Sequence, residues 1–179
     1  LDCLVGSEMC IRDRFRNISE PKYLMFEVLA ERTLAIAQQY RIKNPDEGYS
    51  PFLDSYITPI IDDCLQHNIK IISNIGAANP LGAAKRILEI ANEKKTRKPK
   101  IGVVVGDDLL EYMTNKEILE SPTMEGLDFS NNQITAANVY LGAKPIAEAL
   151  SKEADIVVVG RTVDLSLIHI SEPTRQSSI

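Results

Sequence analysis

The sequence is poor in the residues that build disulfide frameworks, metal clusters and nucleic-acid surfaces. Its 179 residues include three cysteines, two histidines and no tryptophan. Three cysteines in a chain of this length do not make a disulfide framework, so we expect a reducing, cytoplasmic compartment. Acidic residues outnumber basic ones by 25 to 20, and the net charge is −5. Such a chain lacks a generic basic face, and we expect neither nucleic acid nor an anionic membrane as its partner.

Long apolar runs are also missing. No stretch of the sequence approaches the roughly 18 consecutive apolar residues that would indicate a membrane span. Hydrophobic residues nevertheless make up 44% of the chain and charged residues 25%. These proportions are ordinary for one globular domain with a single core. The composition therefore predicts one domain and leaves its chemistry open.

The two ends of the chain resemble a translated sequencing adapter. Residues 166–175 read SLIHISEPTR, the forward translation of a transposase-based adapter. Residues 3–13 read CLVGSEMCIRD, the translation of the complementary strand. We therefore expect residues 1–14 and 165–179 to be adapter-derived artefacts, to be removed before fold reasoning. Residues 15–164 are then one partial domain, truncated at both ends.

Short apolar runs punctuate residues 15–164. Four of them predict β-strands, at residues 23–26, 69–72, 101–105 and 155–159. The last two runs are β-branched and continuous, a pattern typical of strands that are buried on both faces.

Amphipathic segments of helix length lie between these runs. They predict helices at residues 29–40, 51–68, 80–92 and 145–151, and the last two open with proline, which the first turn of a helix tolerates. Strands that alternate with helices favour βαβ units and a parallel sheet. The predicted fold class is therefore α/β, with helices on both faces of a Rossmann-like, doubly wound sheet.

Polar side chains follow all four predicted strands. Ligands of open parallel sheets bind where loops leave the carboxyl ends of the strands, so these residues are the candidate site. The candidates, in chain order, are Glu27, Asn74, Gly76, Asn79, Asp107, Asp108, Arg161 and Asp164. Asn138 and Tyr140, which precede the last predicted helix, are expected to line the same crevice.

The candidates divide by chemistry. Asp107 or Asp108 would act as a general base or bind a hard metal ion, or would simply cap the next helix. Adjacent side chains diverge, so we expect one of the two to face the crevice. Asn79, with Gly76 before it, would help to bind a phosphate or carboxylate at a helix start, or would only cap that helix. Arg161 and Asp164 would clamp an anionic substrate, or form a structural salt bridge.

Nucleotide motifs are not present. The loop that contains Gly76 matches neither the dinucleotide fingerprint nor the P-loop, so the sequence supports neither NAD nor ATP. We do not expect a catalytic Cys–His dyad from Cys64 and His67, because no strand end lies near their predicted helix. The cofactor and any metal remain unassigned.

Five strings together resemble a known family. They are FEVLAERTLAIAQ (26–38), SNIGAANP (73–80), VVGDDL (104–109), ANVYLGAKPIAEAL (137–150) and ADIVVVGRTVD (154–164). In this order they are similar to the N-terminal domain of the acyclic terpene utilisation, AtuA-type, family. The resemblance implies a role in the catabolism of acyclic terpenes such as citronellol and geraniol. Members usually begin with a further strand and continue past the last string, which agrees with the expected truncation.

The function expected from site and resemblance is enzymatic. We expect a lyase, a hydratase or a related activity on an anionic small acid or a branched acyl thioester. Glu27, Asp107 or Asp108 would be the acid–base or metal-binding group, with Arg161 as the anion clamp. Asn74 and Asn79 would orient the substrate. The alternative is a non-catalytic ligand-binding subunit of a catabolic assembly. The intact protein is expected to form a homo-oligomer.

Overall fold

Four parallel strands form one sheet in the computed structural model, which describes residues 22–122 and 134–163. The strands are β1 (Lys22–Phe26), β2 (Ile69–Ser73), β3 (Ile101–Val104) and β4 (Ile156–Val159), in the spatial order β1-β2-β4-β3. These bounds agree with the predicted runs to within one residue at each end. The α/β class and the parallel sheet are confirmed. The ends assigned to adapter sequence lie outside the described residues, and a Rossmann-like arrangement stays a prediction.

Six helices and one short 3-10 turn connect and flank the strands in the described part of the chain. The helices are α1 (Glu31–Lys43), α2 (Leu53–Ile57), α3 (Ile61–Gln66), α4 (Pro80–Glu93), α5 (Asn115–Leu119) and α6 (Lys144–Ser151). The single helix predicted at residues 51–68 is wrong, because two helices, α2 and α3, occupy that segment. Pro59 lies between them, and a proline inside a helix removes a hydrogen bond and clashes with the preceding turn.

The sheet has an apolar core on each face. On one face Ile71, Ile156 and Val158 of the strands pack with helices α2, α3 and α4. On the other face Ile72 and Val157 pack with α6. From β1 through β2 to β3 the chain crosses the sheet in one direction, and it then returns to add β4 between β2 and β3. Because parallel crossovers are right-handed, that reversal puts the helix before β4 on the opposite face. Helices on both faces are thus confirmed.

The two β-branched strands differ in burial. All four residues of β4 are buried, as predicted. The same prediction is wrong for β3, where Ile101, Gly102 and Val103 are half-buried. Among the described strands β3 has a neighbour on one side only, whereas β4 lies between β2 and β3. Strand order, which depends on the whole fold, decides this difference.

Helix α1 lies beyond the carboxyl ends of the strands rather than on a face of the sheet. Its Leu34 and Ala37 pack with Leu29, Ala77 and Ala78, which belong to the loops after β1 and β2. Helix α1 therefore forms one wall of the edge at which all four strands end. No helix in residues 22–122 and 134–163 combines the length and apolarity that crossing a membrane would require.

Candidate functional site

Parallel pairing brings the candidate residues to one edge of the sheet. Glu27, Asn74, Asp107 and Arg161 each lie a few residues past the end of a different strand. They form two bonded pairs. The side-chain amide of Asn74 donates to the carboxylate of Glu27, and the backbone N–H of Arg161 donates to Oδ2 of Asp107 at 2.8 Å. The four residues therefore share this edge as two separate pairs, and Asp164 lies outside the described residues.

Asp107 is a buried carboxylate that forms no ion pair with the described residues. The residue is 4% exposed, and Asn138 Nδ2 donates to the same Oδ2 at 3.1 Å. None of the ion pairs among the described residues involves Asp107. Burial raises the pKa of this carboxyl, while the hydrogen bonds from Arg161 and Asn138 work in the opposite direction. Asp107 thus holds its proton more tightly than an ordinary aspartic acid.

Gly160 makes room for this carboxylate. A Cβ atom at Gly160 would lie 2.5 Å from Oδ2 and 2.7 Å from Oδ1 of Asp107. Those separations are well inside van der Waals contact, so any larger residue would displace the carboxylate. The glycine after β4 therefore belongs to the packing of the site.

Asp108 points away from its neighbour and toward α1. Its Oδ1 accepts from the backbone N–H of Leu110 at 3.0 Å and caps the short turn Leu109–Glu111. Its Oδ2 accepts from Gln38 Nε2 at 3.1 Å and from Arg41 Nη1 at 3.2 Å. The expected divergence of the two carboxylates is thus seen, and the capping role belongs to Asp108. This arrangement favours Asp107 for acid–base work.

Asn74 connects the exits of β1 and β2. It is buried, and its Oδ1 accepts from the backbone N–H of Val28 at 2.9 Å while its Nδ2 reaches Glu27. Glu27 itself is exposed at the edge of the sheet. Asn74 therefore fixes the direction of the loop that carries Glu27, and Glu27 keeps its access to solvent.

Asn79 and Gly76 shape the loop before α4. The Oδ1 atom of Asn79 accepts from Gly82 N–H at 2.9 Å and caps the helix. Its Nδ2 donates to the carbonyls of Pro45 and Glu47. The capping alternative therefore describes what Asn79 does in the structure. A Cβ atom at Gly76 would lie 2.6 Å from the carbonyl oxygen of Val159, so this glycine lets the loop pass the end of β4.

Arg161 holds a carboxylate at the start of α1. Its Nη1 donates to the carbonyl of Leu29 at 3.0 Å, and its Nη2 donates to the Glu31 carboxylate and the Tyr140 hydroxyl. The guanidinium carbon lies 4.2 Å from the centroid of the Tyr140 ring, a cation–π distance. The hydroxyl of Tyr140 in turn donates to Glu31 Oε1 at 2.9 Å. Arg161, Tyr140 and Glu31 form one cluster, which we call the guanidinium cluster.

Sequence reasoning missed Glu31. The signal available was an acidic residue in the first turn of a helix beside the edge of the sheet, and such residues are common because they suit the helix dipole. Its pKa is lowered first by its own backbone N–H, then by the Tyr140 hydroxyl and Arg161. Glu31 is therefore ionised at neutral pH.

A pocket of 110 Å³ opens beside Asp107. Four predicted residues line it, and they are Asn79, Asp107, Asp108 and Asn138. Arg41 and Glu111, which the sequence analysis did not single out, also line it and form an ion pair at 2.8 Å. A volume of this size admits a few water-sized groups, and drug-sized ligands need about 300 Å³ or more. The pocket fits the polar head of a small molecule.

The described residues do not provide a set of side chains arranged to bind a metal ion. Among residues 22–122 and 134–163, no three His, Cys, Asp or Glu side chains are grouped so that they could hold a metal ion. Cys64 lies in the core on α3, and burial raises the pKa of its thiol to about 12. It takes no part in the site.

Comparison with known proteins gives one match. The sequence model described as acyclic terpene utilisation family protein AtuA matches residues 10–170. The search of curated proteins and the search of solved structures return no match. The family match covers most of the chain and includes all five strings that resemble this family. The chain therefore belongs to the acyclic terpene utilisation (AtuA) family, whose name indicates a role in acyclic terpene utilisation.

Proposed function

We propose that this chain is a catabolic enzyme of acyclic terpene utilisation that acts on an anionic small acid or a branched acyl thioester. The reaction class is a lyase or hydratase step in which Asp107 exchanges a proton with the substrate. The observation that carries the proposal is a buried carboxyl with a raised pKa, at the wall of a small pocket and outside the ion pairs of the described residues.

The geometry of Asp107 suits proton transfer. Both hydrogen bonds given above go to Oδ2, and Oδ1 is the oxygen to which we assign proton exchange. A carboxyl whose pKa is raised by burial keeps its proton closer to neutral pH and donates it as a general acid. In a dehydration it protonates the leaving hydroxyl, which departs as water when the C–O bond breaks, and the carboxylate so formed takes the proton from the adjacent carbon as the double bond forms. In the reverse hydration the carboxyl returns a proton to carbon and the carboxylate takes one from water.

Arg161 is the proposed anion clamp. Its guanidinium is held in place by Leu29 and by the ring of Tyr140, and its Nη2 is directed at the Glu31 carboxylate. A planar guanidinium recognises carboxylates with both direction and charge. Glu27 and Asp108 are weaker candidates for acid–base work, because Glu27 is exposed and Asp108 is paired with Arg41.

Turnover of branched acyl thioesters, followed by mass spectrometry of the products, tests this proposal. Asp107→Asn should lower the rate by about 10²- to 10⁴-fold, the range for loss of a general acid or base. Asp108→Asn is the matched comparison and should lower the rate far less. Equal losses would contradict the assignment to Asp107. Affinity without any turnover in the unchanged protein would instead support the ligand-binding subunit.

A further inference from the structure

The guanidinium cluster pairs a buried cation with an exposed anion. The side chain of Arg161 is 8% exposed, and that of Glu31 is 77% exposed. A buried guanidinium left without an anion would be costly, because its charge would be desolvated and uncompensated. An exposed carboxylate at the start of a helix returns to water at little cost. Opening this ion pair therefore costs Arg161 much more free energy than it costs Glu31.

The hydrogen-bond donors that contact the Glu31 carboxylate would also bind any other carboxylate. Arg161 Nη2 and the Tyr140 hydroxyl both donate to its Oε1. The other arm of the guanidinium is fixed separately, through Nη1 to the carbonyl of Leu29. Removing Glu31 would thus leave the donors in place, still directed at the same point. Charge-assisted bonds of this kind are the strong elements of carboxylate recognition.

We propose that the Glu31 carboxylate occupies the position of the ligand's own carboxylate and is displaced when the ligand binds. This inference rests on the proposed function, which assigns Arg161 as the anion clamp. The exchange keeps Arg161 paired throughout and releases Glu31 to solvent. The ligand class is a small organic acid with a free carboxylate. Glu31 thereby weakens binding of every such acid by direct competition.

The smallest competition to be expected is that of an exposed ion pair, because the buried guanidinium makes this pair harder to open. Exposed pairs are closed at least about as often as they are open. The apparent dissociation constant equals the intrinsic value divided by the open fraction. Removing the competitor should therefore tighten binding by at least about two-fold.

Calorimetric titration of the full chain with straight-chain monocarboxylates, from butanoate to octanoate, provides the test. Glu31→Gln should lower the dissociation constant by at least about two-fold relative to the unchanged protein. Glu120→Gln is the matched control, because Glu120 is exposed and pairs only loosely with Lys116 at 3.7 Å. It should leave the constant unchanged.

Two further variants separate this inference from the proposed function. Arg161→Lys should weaken binding at least ten-fold, and Tyr140→Phe, which keeps the ring, covers the case in which Arg161→Lys unfolds. If both variants weaken binding while Glu31→Gln leaves it equal or weaker, the competition is overturned and the clamp stands. If neither the unchanged protein nor Glu31→Gln binds any of the acids, both ideas fail. Tighter binding of inorganic phosphate than of the acids would overturn the carboxylate assignment.

Discussion

Strand β4 has a buried aspartate at each of its ends. Asp155 directly precedes β4 and is 7% exposed, while Asp107 packs against the residues that follow β4 and is 4% exposed. Asp155 accepts two 2.8 Å bonds from Arg97, one from Lys70 at 3.2 Å and one from the backbone N–H of Lys100. Asp107 accepts only a backbone N–H and an amide among the described groups.

The difference in partners gives the two carboxyls opposite acid–base character. The pKa of Asp155 is lowered, chiefly by its hydrogen bonds from Arg97. The pKa of Asp107 is raised, chiefly by burial. Asp155 is thus an anion that binds Arg97, Lys70 and the backbone of Lys100 at the amino end of the sheet. Asp107, similarly buried at the carboxyl end, retains its proton more readily. Burial identifies neither role, and the charge of the neighbours decides between them.

The largest effect should come from removing the charge at the amino end. Asp155→Asn replaces a charge-assisted fork with neutral bonds and leaves Arg97 and Lys70 without their shared anion. We expect a loss of about 2–3 kcal/mol in the free energy of unfolding at pH 7, the scale of bonds to charged groups. Urea unfolding of the two proteins measures it.

An exposed aspartate–arginine pair provides the control. Asp54 receives three bonds from Arg86, yet its side chain is about half exposed. Exposed ion pairs contribute little, so Asp54→Asn should cost less than about 1 kcal/mol. Equal losses of unfolding free energy in Asp54→Asn and Asp155→Asn would show that burial adds nothing to the contribution of the Asp155 ion pairs.

The carboxyl end is sensitive to volume instead. Gly160→Ala places a methyl group 2.5 Å from Oδ2 of Asp107, so the carboxylate or the backbone must move. Overpacking of this kind costs about 1–3 kcal/mol, and the pocket beside Asp107 should change with it.

Gly142 tests whether the effect belongs to the site. A Cβ atom at Gly142 meets nothing within 4 Å. Gly142→Ala should therefore change the free energy of unfolding by less than about 0.5 kcal/mol, as surface substitutions usually do. Thermal unfolding of both variants makes the comparison, and a harmless Gly160→Ala would mean that Asp107 is not held where we describe it.

Local patterns predicted the fold better than they predicted the site. β-branched runs located the strands because strand formation depends on neighbouring residues. The half-buried state of β3 depends on strand order, which no local run contains. Pro59 was visible in the sequence, but the apolar stripe of residues 51–68 continues across it and suggested one helix.

The site depends on pairings between distant parts of the chain. Arg161 bonds to Glu31 across 130 positions, and Asp155 to Arg97 across 58. The parallel sheet made it possible to predict that residues after each strand share one edge. Which of two adjacent carboxylates caps a turn, and which packs against the residues after β4, depends on side-chain directions that residue types alone do not determine.

The smallest effect, and the sharpest test of the comparison, is a difference in pH dependence. Because the pKa of Asp107 is raised in the folded state, its stabilising contribution is present below the unfolded value near 4 and is lost as pH rises through the folded value. Asparagine does not titrate, so the loss of unfolding free energy in Asp107→Asn should be largest near pH 4 and smaller toward pH 7. At pH 7 we expect the variant and the unchanged protein to differ by less than about 1 kcal/mol. Asp155 has a lowered pKa, so its contribution is present above pH 4 and is lost in acid. The penalty of Asp155→Asn should therefore grow from acid toward pH 7. Urea unfolding of both variants between pH 3 and pH 7 measures the two slopes, and slopes of the same sign would mean that the two ends of β4 do not differ in the way their partners indicate.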